Sequence, residues 1–223
     1  MSSTSLVPGR RATAVLLVVA PLLELAESAL SPLQDGSTSS ELGRIADHQG
    51  RFTASVLLGV AAVVLFTPMF LGLADACLAR APRAARVGGW VAALSMAGFM
   101  GVRGVQAVQL AAVKDGLDRQ TAGRLLDHTL SNPIGAALLI LFLGGTVIGI
   151  ITLAAAAWRA GFPRPAVVLL ILFPVIDNTI QGNAATVAAH AVFVVALGWF
   201  AVSLWSETAA EKDAPTPMQP VTA

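Results

Sequence analysis

Long apolar runs alternate with short polar connections along this chain. Six runs stand out, at about residues 12–31, 52–74, 87–113, 133–158, 166–181 and 184–205. A hydrocarbon core of roughly 30 Å needs about 20 predominantly apolar residues in a helix, and the five runs from residue 52 onward meet that need. The run at 166–181 does so only if its polar end, Asp177 to Gln181, also lies at membrane depth. The pattern predicts an all-α polytopic membrane bundle of six transmembrane helices, with residues 1–206 as one domain.

The first run has a second reading. Its clean apolar part, Ala12 to Leu23, is short, follows Arg10 and Arg11, and precedes Ala26-Glu27-Ser28, a small-x-small cleavage pattern of secretory signals. An acidic pair just before a cleavage site is unusual, and Ala29 to Leu33 prolongs the apolar stretch. A retained first helix is therefore expected. Of the connections, residues 31–51 begin rich in Ser, Thr and Gly, and Glu41 to Arg51 is expected to form a short surface helix. Residues 114–131 are similarly polar and expected to be partly helical. The segment 207–223, rich in Pro, Thr and Ala, reads as a disordered cytoplasmic tail.

Composition strengthens this picture. The chain is 56% hydrophobic and 12% charged, with a mean hydropathy of +0.75, too little polar surface to cover a soluble fold. The lipid bilayer is thus the first expected partner. A formal net charge of +1 offers no basic face for nucleic acid, and the single Cys77 excludes an internal disulfide and a cysteine-based metal cluster.

Positive charge sets orientation. With the N-terminus inside, the inner segments hold Arg10, Arg11, Arg80, Arg83, Arg86, Arg159, Arg164 and Lys212. The outer ones hold Arg44, Arg51, Lys114, Arg119 and Arg124, nearly all beside acids. The expected topology is N-in, C-in.

Three stretches carry a family resemblance: His48-Gln49-Gly50-Arg51-Phe52 leading to Val63-Val64-Leu65-Phe66-Thr67-Pro68, Arg86-Val87-Gly88-Gly89, and Trp158-Arg159-Ala160-Gly161-Phe162-Pro163-Arg164. In these the chain resembles small six-span integral membrane proteins of high-GC Gram-positive bacteria. The resemblance implies the architecture and a bacterial cytoplasmic membrane location. It implies no activity and transfers no functional residue.

Placed by depth on this topology, polar residues crowd the outer side. Glu24, Glu27, Ser28 and Ser31 share one face of the first helix, because spacings of three, four and seven coincide on a helix. Arg103, Gln106 and Gln109 lie in the outer part of the third. Asp177, Asn178 and Gln181 end the fifth, and Asn183, Thr186 and His190 begin the sixth, while the inner halves are almost wholly Ala, Val, Leu, Ile and Gly. A charge near the bilayer centre costs roughly 2.5–3.5 kcal/mol on insertion scales, so such residues normally face a bundle interior or a water-filled cavity. The expectation is a polar pocket opening outward, with Glu24, Arg103, Gln106, Asp177, Asn178 and His190 as candidate binding residues. The bland alternatives are a Glu24–Arg103 pair that only locks two helices, a packing role for His190, and interfacial positions for Glu27, Gln109, Gln181 and Asn183.

Two smaller patterns accompany these. Pro21 stands three residues before Glu24, and Pro174 three before Asp177, each ten after an arginine, so each helix puts a proline just below an acid. Gly145 and Gly149 form a G-x-x-x-G pair, and Gly98, Gly101 and Gly104 thin the third helix, which favours close helix packing within the monomer.

Specific chemistries fare poorly. The serines Ser55, Ser95 and Ser203 lack the setting of an intramembrane protease. No two of His48, His128 and His190 have metal-binding spacing, and no P-loop is present. No catalytic residue, metal site or cofactor is therefore assigned. The absence of Tyr and a 6% aromatic content argue against an aromatic-lined cyclase pocket. The expected function is binding or transport of a small molecule or ion. A membrane-embedded enzyme on a lipid or isoprenoid-like substrate, with Glu24 and Asp177 as acid and base, and an accessory or scaffold subunit are the alternatives. The oligomeric state stays open.

Overall fold

The computed structural model describes residues 7–33, 37–179 and 182–213. Eight helices account for nearly all of them: α1 Arg10–Leu30, α2 Thr38–Asp47, α3 Gln49–Cys77, α4 Pro82–Lys114, α5 Arg119–Ser131, α6 Pro133–Ala160, α7 Arg164–Thr179 and α8 Asn183–Asp213. Five of these, α1, α3, α4, α6 and α8, are long and apolar enough to cross a membrane. The described part of α7 is 16 residues, roughly 24 Å at 1.5 Å per residue. The two polar connections hold the short helices α2 and α5, as expected. Helix α8 runs on to Asp213, so the first residues of the expected tail continue it; residues 214–223 lie outside the described residues.

Local chemistry sets the boundaries. Ser37 caps α2 by accepting from the Ser40 amide. Asp118 caps α5 through the Thr121 amide at 2.9 Å and hydroxyl at 2.8 Å, and these bonds hold its carboxyl below its ordinary range. Asn132 caps α6 through the amides of Ile134 and Gly135, both at 2.9 Å, with Pro133 at the first helical position. Gly161 ends α6 at φ 90°, a left-handed conformation open to glycine.

The six long helices pack as a closed ring in chain order: α1 on α3, α3 on α4, α4 on α6, α6 on α7, α7 on α8, and α8 back on α1. Helices α2 and α5 pack on each other at the end where α1 joins α3 and α4 joins α6. The tightest contact is α4 on α6. A Cβ added at Gly149 would stand 2.5 Å from the Ala92 amide nitrogen, and one at Gly145 would stand 2.8 Å from the Ser95 Cβ. The G-x-x-x-G pair thus seats α6 against α4, and Gly98 and Gly101 receive Leu138 and Phe142 in return, whereas Gly104 faces open space.

Outer faces carry large apolar side chains, among them Leu57, Val64, Leu94, Ile140, Ile148 and Val202, as a multi-pass membrane protein requires. The opposite end of the ring gathers arginines. There Arg80 donates to the Ala160 carbonyl, Arg11 lies over Trp205 at 5.8 Å, and Arg164 lies over Trp158 at 5.4 Å.

Candidate functional site

Glu24 and Glu27, one turn apart on α1, both turn into the ring towards α4. Arg103 meets them there. Its Nη2 donates to Glu24 Oε1 at 2.5 Å, and its Nη1 donates to Glu27 Oε1 at 2.7 Å and to Gln106 Oε1 at 3.0 Å. The Arg103 and Glu24 side chains are each 4% exposed. Two features, one on α4 itself and one on α3, hold the guanidinium in place. The Phe99 ring lies under it at 4.5 Å, and Gly59 of α3 leaves a slot that a Cβ would fill, 2.5 Å from Arg103 Cζ.

Hydroxyls complete the cluster. Ser55 of α3 donates to Glu27 Oε1 at 3.1 Å. Ser28 Oγ lies 3.0 Å from the Glu24 carbonyl and 3.3 Å from Glu27 Oε2, and its proton serves either, while the oxygen stands 3.4 Å from His190 Nδ1. Three buried charges are tolerable because the guanidinium serves both carboxylates and hydroxyls add to it at Glu27. The sharing is still uneven. Glu24 Oε2 and Arg103 Nε are both buried without a hydrogen-bond partner.

His190 approaches from α8. Its Nδ1 is 2.8 Å from the Thr186 carbonyl, which only accepts, so Nδ1 carries the hydrogen in the neutral ring. Nε2 then presents its lone pair 3.9 Å from Glu24 Oε1, beyond hydrogen-bond reach. Asp177 of α7 stands 4.0 Å from Nδ1, and the Phe173 ring packs edge-on to the imidazole at 5.4 Å. Pro21 lies inside α1 and Pro174 inside α7, and the acid three residues beyond each faces the same space, as the repeated pattern predicts.

That space is a cavity of about 370 Å³ between α1, α3, α4, α6, α7 and α8, reaching Ser31, Leu33, Glu41, Gly182 and Asn183 at the end that carries α2 and α5. Its lining sets Glu24, Glu27, Arg103, Gln106, Asp177 and His190 among six of the chain's nine phenylalanines, Phe66, Phe70, Phe99, Phe142, Phe173 and Phe193. Phe173 stacks on Phe193 at 4.1 Å and Phe99 on Phe142 at 4.2 Å.

Five of the six candidate residues therefore meet in one place: Glu24, Arg103, Gln106, Asp177 and His190. Asn178 falls in α7, its side chain outside the described residues, and Gln181 is likewise outside them. Glu27 departs from its expected interfacial position. It is buried and bound to Arg103, because the guanidinium's two terminal nitrogens span one helical turn of carboxylates. Gln109 is also buried, whereas Asn183 lines the mouth. The low aromatic content proved a poor guide, since the few rings converge on this cavity. Ser55, considered only as a nucleophile, is a ligand of Glu27. Ser95 and Ser203 donate to the carbonyls of Ala92 and Trp199. His48 and His128 sit at the ends of the short helices α2 and α5 and do not line the cavity. Among the described residues, no group of three or more His, Cys, Asp or Glu is placed to hold a metal ion. No family model, curated protein or solved structure matches the chain.

Proposed function

We propose that this chain is a six-span membrane protein, both ends cytoplasmic, that binds or moves a small molecule or ion through a pocket open to the extracytoplasmic side. The carrying observation is the cavity of about 370 Å³, within the size range of small-molecule sites, with convergent polar groups set among apolar side chains. A scaffold subunit needs its polar side chains paired and has no use for such a space. Helix α7 is read as the sixth span because it completes the ring between α6 and α8. The orientation rests on Arg10, Arg11, Arg80, Arg83, Arg86, Arg159 and Arg164 lying at the end away from the cavity mouth. The bacterial cytoplasmic membrane is the location that the resemblance to small six-span proteins implies.

One observation favours the enzymatic alternative: the Nε2 lone pair of His190 stands 3.9 Å from Glu24 on the same cavity, two groups able to take up a proton from a guest. Binding comes first because Glu24 is already engaged by Arg103, which suits a fixed charge better than a proton shuttle.

Accessibility tests the proposal. In a Cys77→Ser background, single cysteines at Ser39, Asp118 and Asn183 should react with an impermeant thiol reagent in intact cells, and cysteines at Arg83 and Arg159 should not. The opposite pattern would overturn the outward opening. Val102→Trp, which adds bulk to the cavity from α4 at a side chain that makes none of its hydrogen bonds, should sharply weaken small-molecule binding to the purified protein. Unchanged binding in that variant would remove the cavity as the site.

A further inference from the structure

We infer that the cavity selects an amphipathic organic cation, an ammonium group carried on an apolar or aromatic body. This inference rests on the binding reading above and names its ligand class. The charge inventory is the first support. Glu24, Glu27 and Asp177 face the cavity against Arg103 and His190. Arg103 divides its two terminal nitrogens between Glu24 and Glu27, so one cation serves two carboxylates. The His190 N–H is committed to the Thr186 carbonyl, so the neutral ring offers the cavity an acceptor. Even a protonated His190 leaves carboxylates in excess. Such a wall repels anions and favours a positive guest.

The second support is Glu24 Oε2, an acceptor oxygen without a hydrogen-bond partner on a 4%-exposed carboxylate that borders the cavity; the oxygen itself is closed to solvent, so a guest meets it as the Glu24 side chain turns. An ammonium N–H is the group it lacks. The other orphan, Arg103 Nε, asks for an acceptor and would point the opposite way. It is pressed into the Gly59 slot, where a Cβ would fall 2.6 Å from it, so no ligand group reaches it there. The phenylalanines set among these groups supply the rest of the specificity. Phe173, stacked on Phe193 and edge-on to His190, borders the same space as Asp177 and Glu24. Phenylalanine faces attract cations and bury apolar bodies while offering no hydrogen bonds. A bare inorganic cation gains little from six phenylalanines, and a neutral apolar molecule leaves Glu24 Oε2 unpaired.

Calorimetric titration of the purified full-length protein in detergent tests this with three isosteric probes: 4-phenylbutylammonium, 4-phenylbutanol and 4-phenylbutyrate. The ammonium should bind at least about tenfold tighter than the alcohol, the size expected of one charge-assisted hydrogen bond, and the carboxylate weakest. Asp177→Asn, at the more exposed acid, should narrow the ammonium–alcohol gap several-fold. Glu24→Gln should erase the gap while leaving alcohol binding. If Glu24→Gln does not yield folded protein, the Asp177→Asn result decides. Equal binding of ammonium and alcohol, blocked by Val102→Trp, would overturn the cation inference and leave the binding site standing. Preferred binding of the carboxylate would do the same. Probes that bind nowhere, or bind unaffected by Val102→Trp, would overturn both.

Discussion

Towards the arginine-rich end the ring is filled by Leu17, Leu73, Leu153, Leu170, Leu197 and Phe200, each at most 1% exposed. Towards the other end the same six helices stand around charges, hydroxyls and a cavity of about 370 Å³. Lipid is as apolar as leucine, so in a membrane the interior of the filled end would gain little from excluding solvent and would be held mainly by packing. The open end is held by one guanidinium bridging two carboxylates. Packing fails gradually as atoms are removed, whereas a shared buried charge fails at once when its partner is lost.

The largest expected effect is therefore at the open end. Arg103→Met strands Glu24 and Glu27 together and should destabilise by about 3–5 kcal/mol, the range for breaking a buried pair. Thermal unfolding in detergent should show the loss, and adding Glu24→Gln and Glu27→Gln should restore much of it. If the triple variant is no more stable than Arg103→Met, the cluster is not an electrostatic unit. At the filled end, Phe200→Ala should cost a comparable amount, about 3–5 kcal/mol, by leaving a void. Unlike the charge variants, it should leave small-molecule binding intact. A loss of binding would show that the two ends are coupled. Gly149→Val, which drives a side chain into the α4 backbone, should cost about 1–3 kcal/mol. Gly59→Ala should displace the Arg103 guanidinium instead, weakening binding more than stability. The smallest effect is expected at Asn132→Ala, which removes one helix cap and should cost about 1 kcal/mol in the same melts.

Much of this contrast was legible in the sequence. Apolar runs located the long helices, and polar residues sorted by depth brought Glu24, Arg103, Gln106, Asp177 and His190 to one place before any coordinates. The Glu24–Arg103 pair followed from the cost of leaving either charge alone at depth. Glu27 was misread because distance from a helix end says nothing about which neighbour bends towards it. The phenylalanine lining was invisible for a different reason. Phe99, Phe142, Phe173 and Phe193 lie on four helices and form a surface only once the ring closes, and an average composition carries no such information. Gly59 carries no sequence signal of its slot, because the need for one arises only from the guanidinium opposite it.

The ring order has a consequence for how the molecule is made. Glu24 and Glu27 precede Arg103 by 79 and 76 residues, so on the six-span reading α1 leaves the ribosome long before its neutralising partner exists. During that interval two carboxylates have to be kept near water or inside the insertion machinery, because lipid alone disfavours them. Release of α1 into the bilayer is thereby tied to the arrival of α4. The chamber itself acquires its last wall when α8 docks against α1, so a truncated chain would carry the charges without the enclosure that gives them a purpose.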